Sequence, residues 1–176
     1  MVSLNPMAAV RTRLTPLLLL AILFTFPIAA CTSSNSLLHK PAPPFVRTSL
    51  DGRSLDLAAL KGQVVLLTFW ATWCEPCQAE MPHFIDWQNS FGHQGLQIVA
   101  VSMDDDAAPV RALIAQRGVN YPVVMGDVKL ADQFGSILGL PVTFLIDRRG
   151  RVAAIFKGET DLHKMERSLH HLLGAR

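Results

Sequence analysis

The sequence predicts an α/β fold in which a central mixed sheet is flanked by helices. Residues 64–70 form an almost continuous apolar run, as expected for a central strand covered on both faces. Strand-like and helix-like segments then alternate, which favours parallel strand pairs. Residues 142–147 and 151–157 are separated by a turn and predict a closing hairpin that adds an antiparallel edge. With 176 residues, half of them apolar, one domain of ordinary size is expected.

The N-terminus differs in composition from the rest of the chain. Arg11 and Arg13 precede the apolar run 17–24, and the small residues Ala29 and Ala30 follow. Charged, apolar and small-residue regions in this order are typical of a secretory leader. The apolar run is short for a membrane span. We therefore expect residues 1–30 to be a signal peptide.

A cysteine follows the predicted leader directly. The sequence Ile28-Ala29-Ala30-Cys31 resembles the lipobox of bacterial lipoproteins, in which the cysteine is lipidated and becomes the mature N-terminus. The alternative is a cysteine that merely lies near an ordinary cleavage site. Lipidation of Cys31 would hold the domain on a membrane without spanning it.

Charge separates the leader from the domain. The chain has 16 basic and 14 acidic residues, and removing the two arginines of the leader leaves 14 of each from Cys31 onward. A neutral domain without a clustered run of basic residues does not predict a nucleic-acid-binding surface.

The predicted domain begins after a linker. Residues 31–44 are polar and rich in proline, without a period of 2 or 3.6, and predict a flexible tether behind Cys31. Residues 45–50 and 53–57 flank Asp51-Gly52 and predict a small hairpin, followed by a short turn at 57–60. We assign residues 45–176 to the folded domain.

Two cysteines follow the predicted central strand, in the sequence Cys74-Glu75-Pro76-Cys77. A helix beginning there brings both sulfurs onto one turn, and its unpaired N–H groups and dipole stabilise the first thiolate. The pattern indicates a redox couple with Cys74 as nucleophile and Cys77 as resolving thiol. A structural disulfide or half of a zinc site is the alternative, but zinc needs a second ligand pair and only Cys31 remains. No metal or cofactor is predicted.

The helix after the cysteines has one apolar face. Met81, Phe84, Trp87 and Phe91 recur at helical spacing and predict burial in the core rather than a cofactor site. Pro82 lies inside this helix and is expected to kink it without disturbing the first turn.

The remaining elements follow in order. A strand at 97–102 leads to Asp104-Asp105-Asp106, which we interpret as a cap cluster for a helix at 108–117 rather than a calcium site, because EF-hand spacing is missing. A strand at 121–125 and a helix at 129–138, closed by Gly139, are predicted next. The last amphipathic helix carries three histidines that are expected to be solvated, namely His163, His170 and His171.

Three features resemble the thioredoxin superfamily, and specifically the TlpA/ResA/DsbE-like extracytoplasmic thiol-disulfide oxidoreductases. They are FWATWCEPCQAEMP at 69–82, GLPVTFLID at 139–147 and an inserted helix and strand at about 104–127. The resemblance implies a thioredoxin-like fold and a cis peptide bond before Pro141, close to the redox pair. It further implies substrate contacts by Trp73, Glu75, Pro76, Leu140 and Pro141.

The chain departs from thioredoxin at one position. Thioredoxin has a buried carboxylate six residues before its first active-site cysteine, where this chain has Thr68, which cannot act as a base at neutral pH. Another group must take the proton of Cys77. Glu80, one helical turn beyond Cys77, is the candidate and resembles the acidic residue of ResA-like proteins, although an exposed helix glutamate is the alternative.

The predicted activity is reduction of disulfides in extracytoplasmic proteins. Glu75 opposes the helix dipole beside Cys74, and a less stabilised thiolate makes the dithiol easier to oxidise. Because the compartment is oxidising, the resemblance implies re-reduction by a membrane thiol carrier, and apocytochrome c is an expected substrate. The expected location is the periplasm, on a membrane through Cys31.

Other functions on this fold are alternatives. A disulfide oxidase or isomerase would differ only in redox potential and partner. Copper chaperones of this fold use CxxxC with a distant histidine, whereas this chain has CxxC. Peroxiredoxins carry Thr or Ser three positions before the peroxidatic cysteine, where this chain has Ala71.

Overall fold

The computed structural model describes residues 37–174, all of which belong to one compact unit. The predicted signal peptide and the predicted lipidation site Cys31 lie outside the described residues. None of the helices within residues 37–174 is long and apolar enough to cross a membrane.

The elements follow the predicted alternation. The strands are β1 Val46–Thr48, β2 Ser54–Asp56, β3 Val64–Trp70, β4 Leu96–Ser102, β5 Val123–Met125, β6 Val142–Ile146 and β7 Val152–Lys157. The helices are α1 Glu75–Phe91, α2 Ala107–Arg117, α3 Val128–Gln133 and α4 Leu162–Gly174, with short 3₁₀ turns at Leu57–Leu60 and Gly92–Gln94.

The central sheet is mixed, as predicted. Its strand order is β5-β4-β3-β6-β7, with β4 parallel to β3 and β5 parallel to β4, whereas β6 and β7 run antiparallel to their neighbours. Strands β1 and β2 form the predicted hairpin as a separate two-stranded sheet. The predicted thioredoxin-like arrangement of helices around a mixed sheet is therefore confirmed.

Strand β3 lies at the centre of the core, and all seven of its residues are buried. Its alternate side chains face two apolar clusters, because successive residues of a strand point to opposite faces. One cluster contains Leu66 and the buried faces of α1 and α4, and the other contains Leu67 and the hairpin residues Phe45 and Leu55. The predicted apolar residues Met81, Phe84 and Trp87 of α1 all belong to the first cluster.

The strand register defines two ends of the sheet. The upper end is where β3 terminates at Trp70, and the lower end is where β3 begins at Val64. Val142 of β6 pairs with Phe69 and Ile146 pairs with Val65, so β6 begins at the upper end. Strand β7 consequently begins at the lower end and finishes at the upper one.

Helix α3 is shorter than predicted. It ends at Gln133 rather than at residue 138, and Gly135 rather than Gly139 terminates it. Gly135 has a φ of 92°, in the left-handed region that favours glycine. The N–H of Ser136 then bonds the carbonyl of Ala131, which closes the helix.

Part of the predicted tether is bound to the domain. The N–H of His39 bonds the carbonyl of Val152, and the N–H of Ala42 bonds the carbonyl of Gly150. Pro41 forms an isolated bridge with Arg151. The prediction of a flexible linker up to residue 44 is therefore wrong for residues 39–42, which pair with the start of the edge strand β7.

Candidate active site at the N-terminus of helix α1

The two cysteines form a disulfide at the upper end of the sheet. The S–S distance is 2.00 Å and the Cα atoms of Cys74 and Cys77 are 5.3 Å apart. Cys74 is the N-cap of α1, and its Sγ accepts the N–H of Cys77 at 3.3 Å. The cysteines are only 5% and 3% exposed, respectively. The predicted position of the pair at the beginning of a helix is confirmed.

The first turn of α1 carries the dipeptide between the cysteines. Glu75 is exposed and is the acidic residue of this turn, and Pro76 lies within the first two helical positions. Proline is favoured there because its missing N–H would have no partner in the helix. The negative charge of Glu75 lies next to Cys74. Because like charges repel, it disfavours the thiolate form of Cys74.

The loop before Cys74 is held by a carboxylate that the sequence places in the cap cluster. Asp104 accepts the N–H of Thr72 at 2.9 Å and its hydroxyl at 2.5 Å. It also accepts the hydroxyl of Ser102 at 2.8 Å. Of the three aspartates, Asp106 is the N-cap of α2. The prediction of a common cap cluster is therefore wrong for Asp104, which connects β4 to the active-site loop.

The carbonyl of the same loop residue is also bound. Gln78 Nε2 donates to the oxygen of Thr72 at 2.6 Å, and Arg117 of α2 donates to Gln78 Oε1 at 3.1 Å. The N–H, hydroxyl and carbonyl of Thr72 are all engaged. Thr72 immediately precedes Trp73 and Cys74. The backbone that carries these two residues is therefore held by Asp104, which follows β4, and by Gln78 of α1.

Glu80 is buried on the same helix as the cysteines. It is 5% exposed, and its Oε2 has no hydrogen-bond partner within the described residues. Burial, together with the smaller effect of the Glu159 carboxylate, raises the pKa of Glu80 to about 7. Glu80 follows Cys77 by three residues and so lies about one turn away on the same side of α1. The alternative of an exposed helix glutamate is wrong.

Two further polar groups are buried close to Cys77. Tyr121 is buried, and burial together with the charge of Glu80 raises the pKa of its phenol, so the ring remains neutral. Thr68 is buried and hydrogen-bonded to Thr143 at 2.9 Å between hydroxyl oxygens. A small cavity lined by Thr68, Cys77 and Tyr121, among others, lies behind the disulfide. Glu80 is thus the nearby group whose pKa suits proton transfer at neutral pH.

The segment before β6 reaches the same end of the sheet. The peptide bond between Leu140 and Pro141 is cis, as the resemblance predicts. Pro141 precedes Val142, the partner of Phe69, so it is level with the end of β3. The carbonyl of Pro141 accepts the N–H of Gly158, whereas Leu140 takes part in none of the hydrogen bonds found within residues 37–174.

Apolar side chains are exposed around the predicted substrate-binding residues. Trp73 is 70% exposed and Leu138 is 97% exposed. Leu138 and Leu140 line a cleft that extends to Ile155 and Gly158. Exposed large apolar groups beside a reactive disulfide are typical of a surface that receives another polypeptide.

The sequence located some groups of the site and not others. It identified the cysteines, Glu80 and Pro141, which are adjacent in sequence or belong to a motif. It missed the role of Asp104 and the proximity of Tyr121 and Glu159 to Glu80. No group of three or more metal-ligating side chains lies together within residues 37–174. The three histidines of α4 are exposed, as predicted.

Comparisons with known proteins agree with this geometry. Residues 38–155, more than half of the chain, match the AhpC/TSA family. The thiol-disulfide oxidoreductase ResA of Bacillus subtilis is 35% identical over 151 residues, covering 85% of this chain and 84% of that protein. ResA of Geobacillus kaustophilus is 32% identical over 163 residues, covering 92% and 94%.

Solved structures show the same fold. A crystal structure of a putative thiol:disulfide interchange protein DsbE from Chlorobium tepidum matches with a TM-score of 0.70 and 32% identity, covering 76% of this chain and 96% of that chain. StoA from Bacillus subtilis, at 21% identity and a TM-score of 0.62, shares the fold.

Proposed function

The chain belongs to the AhpC/TSA family and, within it, to the ResA-like thiol-disulfide oxidoreductases, and from this premise we propose that it reduces disulfides in extracytoplasmic proteins. The Cys74–Cys77 disulfide at the N-terminus of α1 is the observation that carries the proposal. Paired cysteines at a helix N-terminus interconvert dithiol and disulfide, and the oxidised pair is the product of each reductive cycle.

Two exchanges transfer the electrons. The Cys74 thiolate attacks a substrate disulfide, forms a mixed disulfide and releases one substrate sulfur as a thiolate. The Cys77 thiolate then attacks Cys74 Sγ, so the mixed disulfide breaks, the second substrate sulfur leaves and the Cys74–Cys77 bond forms. The substrate gains two electrons and the enzyme loses two.

Glu80 is proposed as the proton acceptor of the second exchange. Cys77 must lose its proton before it attacks, and a carboxylate whose pKa is about 7 is matched to that task near neutral pH. The buried Thr68, which stands where thioredoxin has its carboxylate, cannot perform it.

The substrate is proposed to bind as an extended segment beside Leu140 and Pro141. The free backbone groups of Leu140 suit strand-like hydrogen bonds to a substrate chain. The exposed ring of Trp73 and the first-turn residues Glu75 and Pro76 border the reacting sulfur and are proposed to contact the same segment.

Trapping tests the mechanism. A Cys77→Ala variant is expected to accumulate mixed disulfides on Cys74, because the second exchange is blocked. The adducts are detected on non-reducing gels and disappear after treatment with dithiothreitol. A Cys74→Ala/Cys77→Ala variant is the control, and the absence of Cys74-dependent adducts would refute the exchange mechanism.

The redox potential tests the direction of electron flow. Because Glu75 disfavours the Cys74 thiolate, we expect a potential nearer that of thioredoxin, roughly −270 mV, than that of the oxidant DsbA, about −120 mV. Equilibration with glutathione and dithiothreitol buffers measures it. A value above about −180 mV would instead favour a disulfide oxidase or isomerase.

The cellular setting follows from the N-terminal sequence. We propose that residues 1–30 direct export, that lipidated Cys31 anchors the domain on the periplasmic side of a membrane, and that a membrane thiol carrier re-reduces it. Apocytochrome c is a suitable substrate, since its CxxCH cysteines must be reduced before haem attachment. Metabolic labelling with a fatty acid is expected for the wild type and not for Cys31→Ser.

A further inference from the structure

Basic side chains line two adjoining clefts toward the lower end of the sheet, away from the cysteines. One cleft, between β7 and α4, contains Lys164 and Arg167, and the other contains Lys61 and Arg149. Arg151 lines both clefts, so they form one continuous surface. We call these five cations, all of them exposed, the basic surface.

Within residues 37–174, the cations of the basic surface have no carboxylate partners. Asp147 is the acidic residue that lines the clefts, and its Oδ1 accepts the N–H groups of Arg149 and Arg151, both at 2.9 Å. The ion pairs found within residues 37–174 lie elsewhere, at Arg47–Asp127 and Arg53–Asp51. An excess of unpaired positive charge is therefore available to an external anion.

Acidic residues concentrate at the opposite end. Glu75 begins α1 just above β3, and Asp104 to Asp106 follow the upper end of β4. Glu159 follows the upper end of β7. Because the sequence from Cys31 onward has equal numbers of acidic and basic residues, this distribution makes the domain electrically polar rather than uniformly basic.

The N-terminal segment reaches the domain beside the basic surface. His39 lines the same cleft as Arg151, and its N–H bonds the carbonyl of Val152 at the start of β7. Cys31 precedes His39 by eight residues, so an anchor at Cys31 lies at most about 28 Å from this point. A membrane that holds Cys31 is thus within reach of these cations.

We propose that the basic surface docks the domain on an anionic phospholipid bilayer, with the Cys74–Cys77 end turned away from the lipid. The inference rests on the membrane anchorage in the proposed function. Clustered lysines and arginines bind anionic headgroups through charge, and such binding is reversible and sensitive to salt. Substrates outside the membrane then reach Cys74 freely, and release of the surface lets the tethered domain turn towards a membrane-embedded donor.

Vesicle flotation of residues 32–176 tests the proposal without the anchor. This fragment keeps every described residue. The solved DsbE-like protein from Chlorobium tepidum shows that a domain of this kind folds alone, because 76% of this chain matches 96% of that chain. The fragment is expected to bind vesicles of phosphatidylcholine in which about 30 mol% of the lipid is phosphatidylglycerol. This binding is expected to weaken tenfold or more between about 50 and 500 mM salt. Pure phosphatidylcholine vesicles should not bind.

Charge-reversal variants locate the surface. Arg149→Glu/Arg167→Glu is expected to weaken binding to the anionic vesicles at least tenfold. The matched control is Lys129→Glu/Lys157→Glu, which changes the net charge by the same amount but near the upper end of the sheet. The control should bind the anionic vesicles more strongly than Arg149→Glu/Arg167→Glu. Equal losses in both variants, or equal binding to both kinds of vesicle, would overturn the proposal.

A second readout separates the membrane from another copy of the chain. Contact between the basic surface of one molecule and the acidic end of another would give concentration-dependent oligomers in sedimentation. Oligomers that Arg149→Glu/Arg167→Glu abolishes, without vesicle binding by the wild type, would overturn membrane docking. Mixed-disulfide trapping by Cys77→Ala needs no lipid, so loss of docking and failure of the proposed function are distinguishable.

Discussion

Glu80 couples the pH to both stability and chemistry. Its pKa is about 7 in the folded protein, against an ordinary value of 4.5, because burial and Glu159 disfavour the carboxylate. The folded state therefore binds the proton more tightly than the unfolded state. Protonation stabilises the fold below pH 4.5, and this contribution is lost as the pH rises to 7.

A Glu80→Gln variant is expected to lose most of this pH dependence. Relative to the variant, the wild type should lose about 3 kcal/mol of unfolding free energy between about pH 4 and pH 8, from a pKa shift of 4.5 to about 7. Urea titrations at several pH values measure the difference. The control is Asp86→Asn, which changes an exposed carboxylate of α1. A wild type and Glu80→Gln that respond identically to pH would contradict the burial argument.

Glu80→Gln should also slow the second thiol exchange. Because the amide cannot accept the proton of Cys77, resolution of a preformed mixed disulfide is expected to become roughly 10²-fold slower at neutral pH. Stopped-flow fluorescence measures resolution separately from the first attack by Cys74. If the substitution slows only the first attack, Glu80 acts on Cys74 or on substrate binding instead.

Asp104 holds the loop on which Cys74 depends. An Asp104→Asn variant is expected to lose about 1 to 3 kcal/mol of stability, because one carboxylate accepts hydrogen bonds from Thr72 and Ser102. Thermal or urea unfolding measures the loss, and Asp105→Asn, at an exposed neighbouring position, is the control.

A double-mutant cycle checks the assigned partner. Thr72→Val removes the hydroxyl that donates to Asp104 at 2.5 Å. The losses from Asp104→Asn and Thr72→Val are expected to be less than additive, because both remove the same contact. Strict additivity would show that the contact contributes nothing to stability. Alkylation rates of Cys74 in these variants report whether the loop also positions the sulfur.

At the scale of single residues, sequence distance determined what could be predicted. Cys74, Cys77 and Glu80 lie within two turns of one helix, so their proximity follows from helix geometry. Asp104 and Thr72 are 32 residues apart and meet because β3 and β4 are parallel neighbours. The sequence around Asp104 showed only three aspartates before a helix, a local pattern that equally fits a cap.

At the scale of elements, the connection from β5 to α3 depends on one glycine. A Cβ atom at Gly126 would lie 2.7 Å from Val101 Cγ1 and 3.0 Å from the carbonyl oxygen of Ser102. Neither the Ser102 backbone nor the buried Val101 side chain can easily move away from such an atom, because the core is close-packed. Gly126 also donates its N–H to the same carbonyl at 2.7 Å, so the close approach is part of the hydrogen-bonded turn.

Gly126→Ala is therefore expected to destabilise the domain by about 2 kcal/mol or more, since overpacking forces the strand ends apart. Urea unfolding of the oxidised protein measures the change. Gly139→Ala is the matched control, because a Cβ atom there meets nothing within 4 Å. Equal effects of the two substitutions would show that β4 and β5 tolerate the extra atom.

The boundaries of α3 illustrate why local patterns mislead about elements. Residues 129–138 include apolar positions at helical spacing, yet Gly135 and Ser136 adopt left-handed conformations with φ of 92° and 57°. Phe134 instead turns into the core against Phe69 and Phe144, with ring centroids 5.2 Å from each. Gly135, a poor helix former, therefore ends the helix although the apolar pattern continues beyond it.

At the scale of the whole molecule, folding and redox state are linked. If the potential is as negative as proposed, the folded domain favours the disulfide, so the oxidised protein should unfold at a higher temperature than the reduced protein. Each 30 mV by which folding lowers the potential corresponds to about 1.4 kcal/mol of added stability in the oxidised form. Calorimetry of both forms measures this. A more stable reduced form would indicate an oxidant.

The class of fold was predictable from the whole sequence, whereas the path of its N-terminal segment was not. The buried run at 64–70 and the alternation of elements suffice to predict a mixed sheet. Residues 39–42 contribute only the partly buried Ala42 to the apolar core, so nothing in their composition indicates an attachment. They are held through backbone groups to β7, which composition does not reveal.

The attachment of residues 39–42 also bears on how soluble fragments of this protein should be cut. Backbone groups of Val152 pair with His39 and Lys40 on the outer side of β7, the last strand of the sheet. A fragment that begins at Phe45 would leave these groups open at an exposed sheet edge, where strands of separate molecules pair and aggregate. Fragments should therefore begin before Leu37, so that residues 39–42 remain to pair with β7.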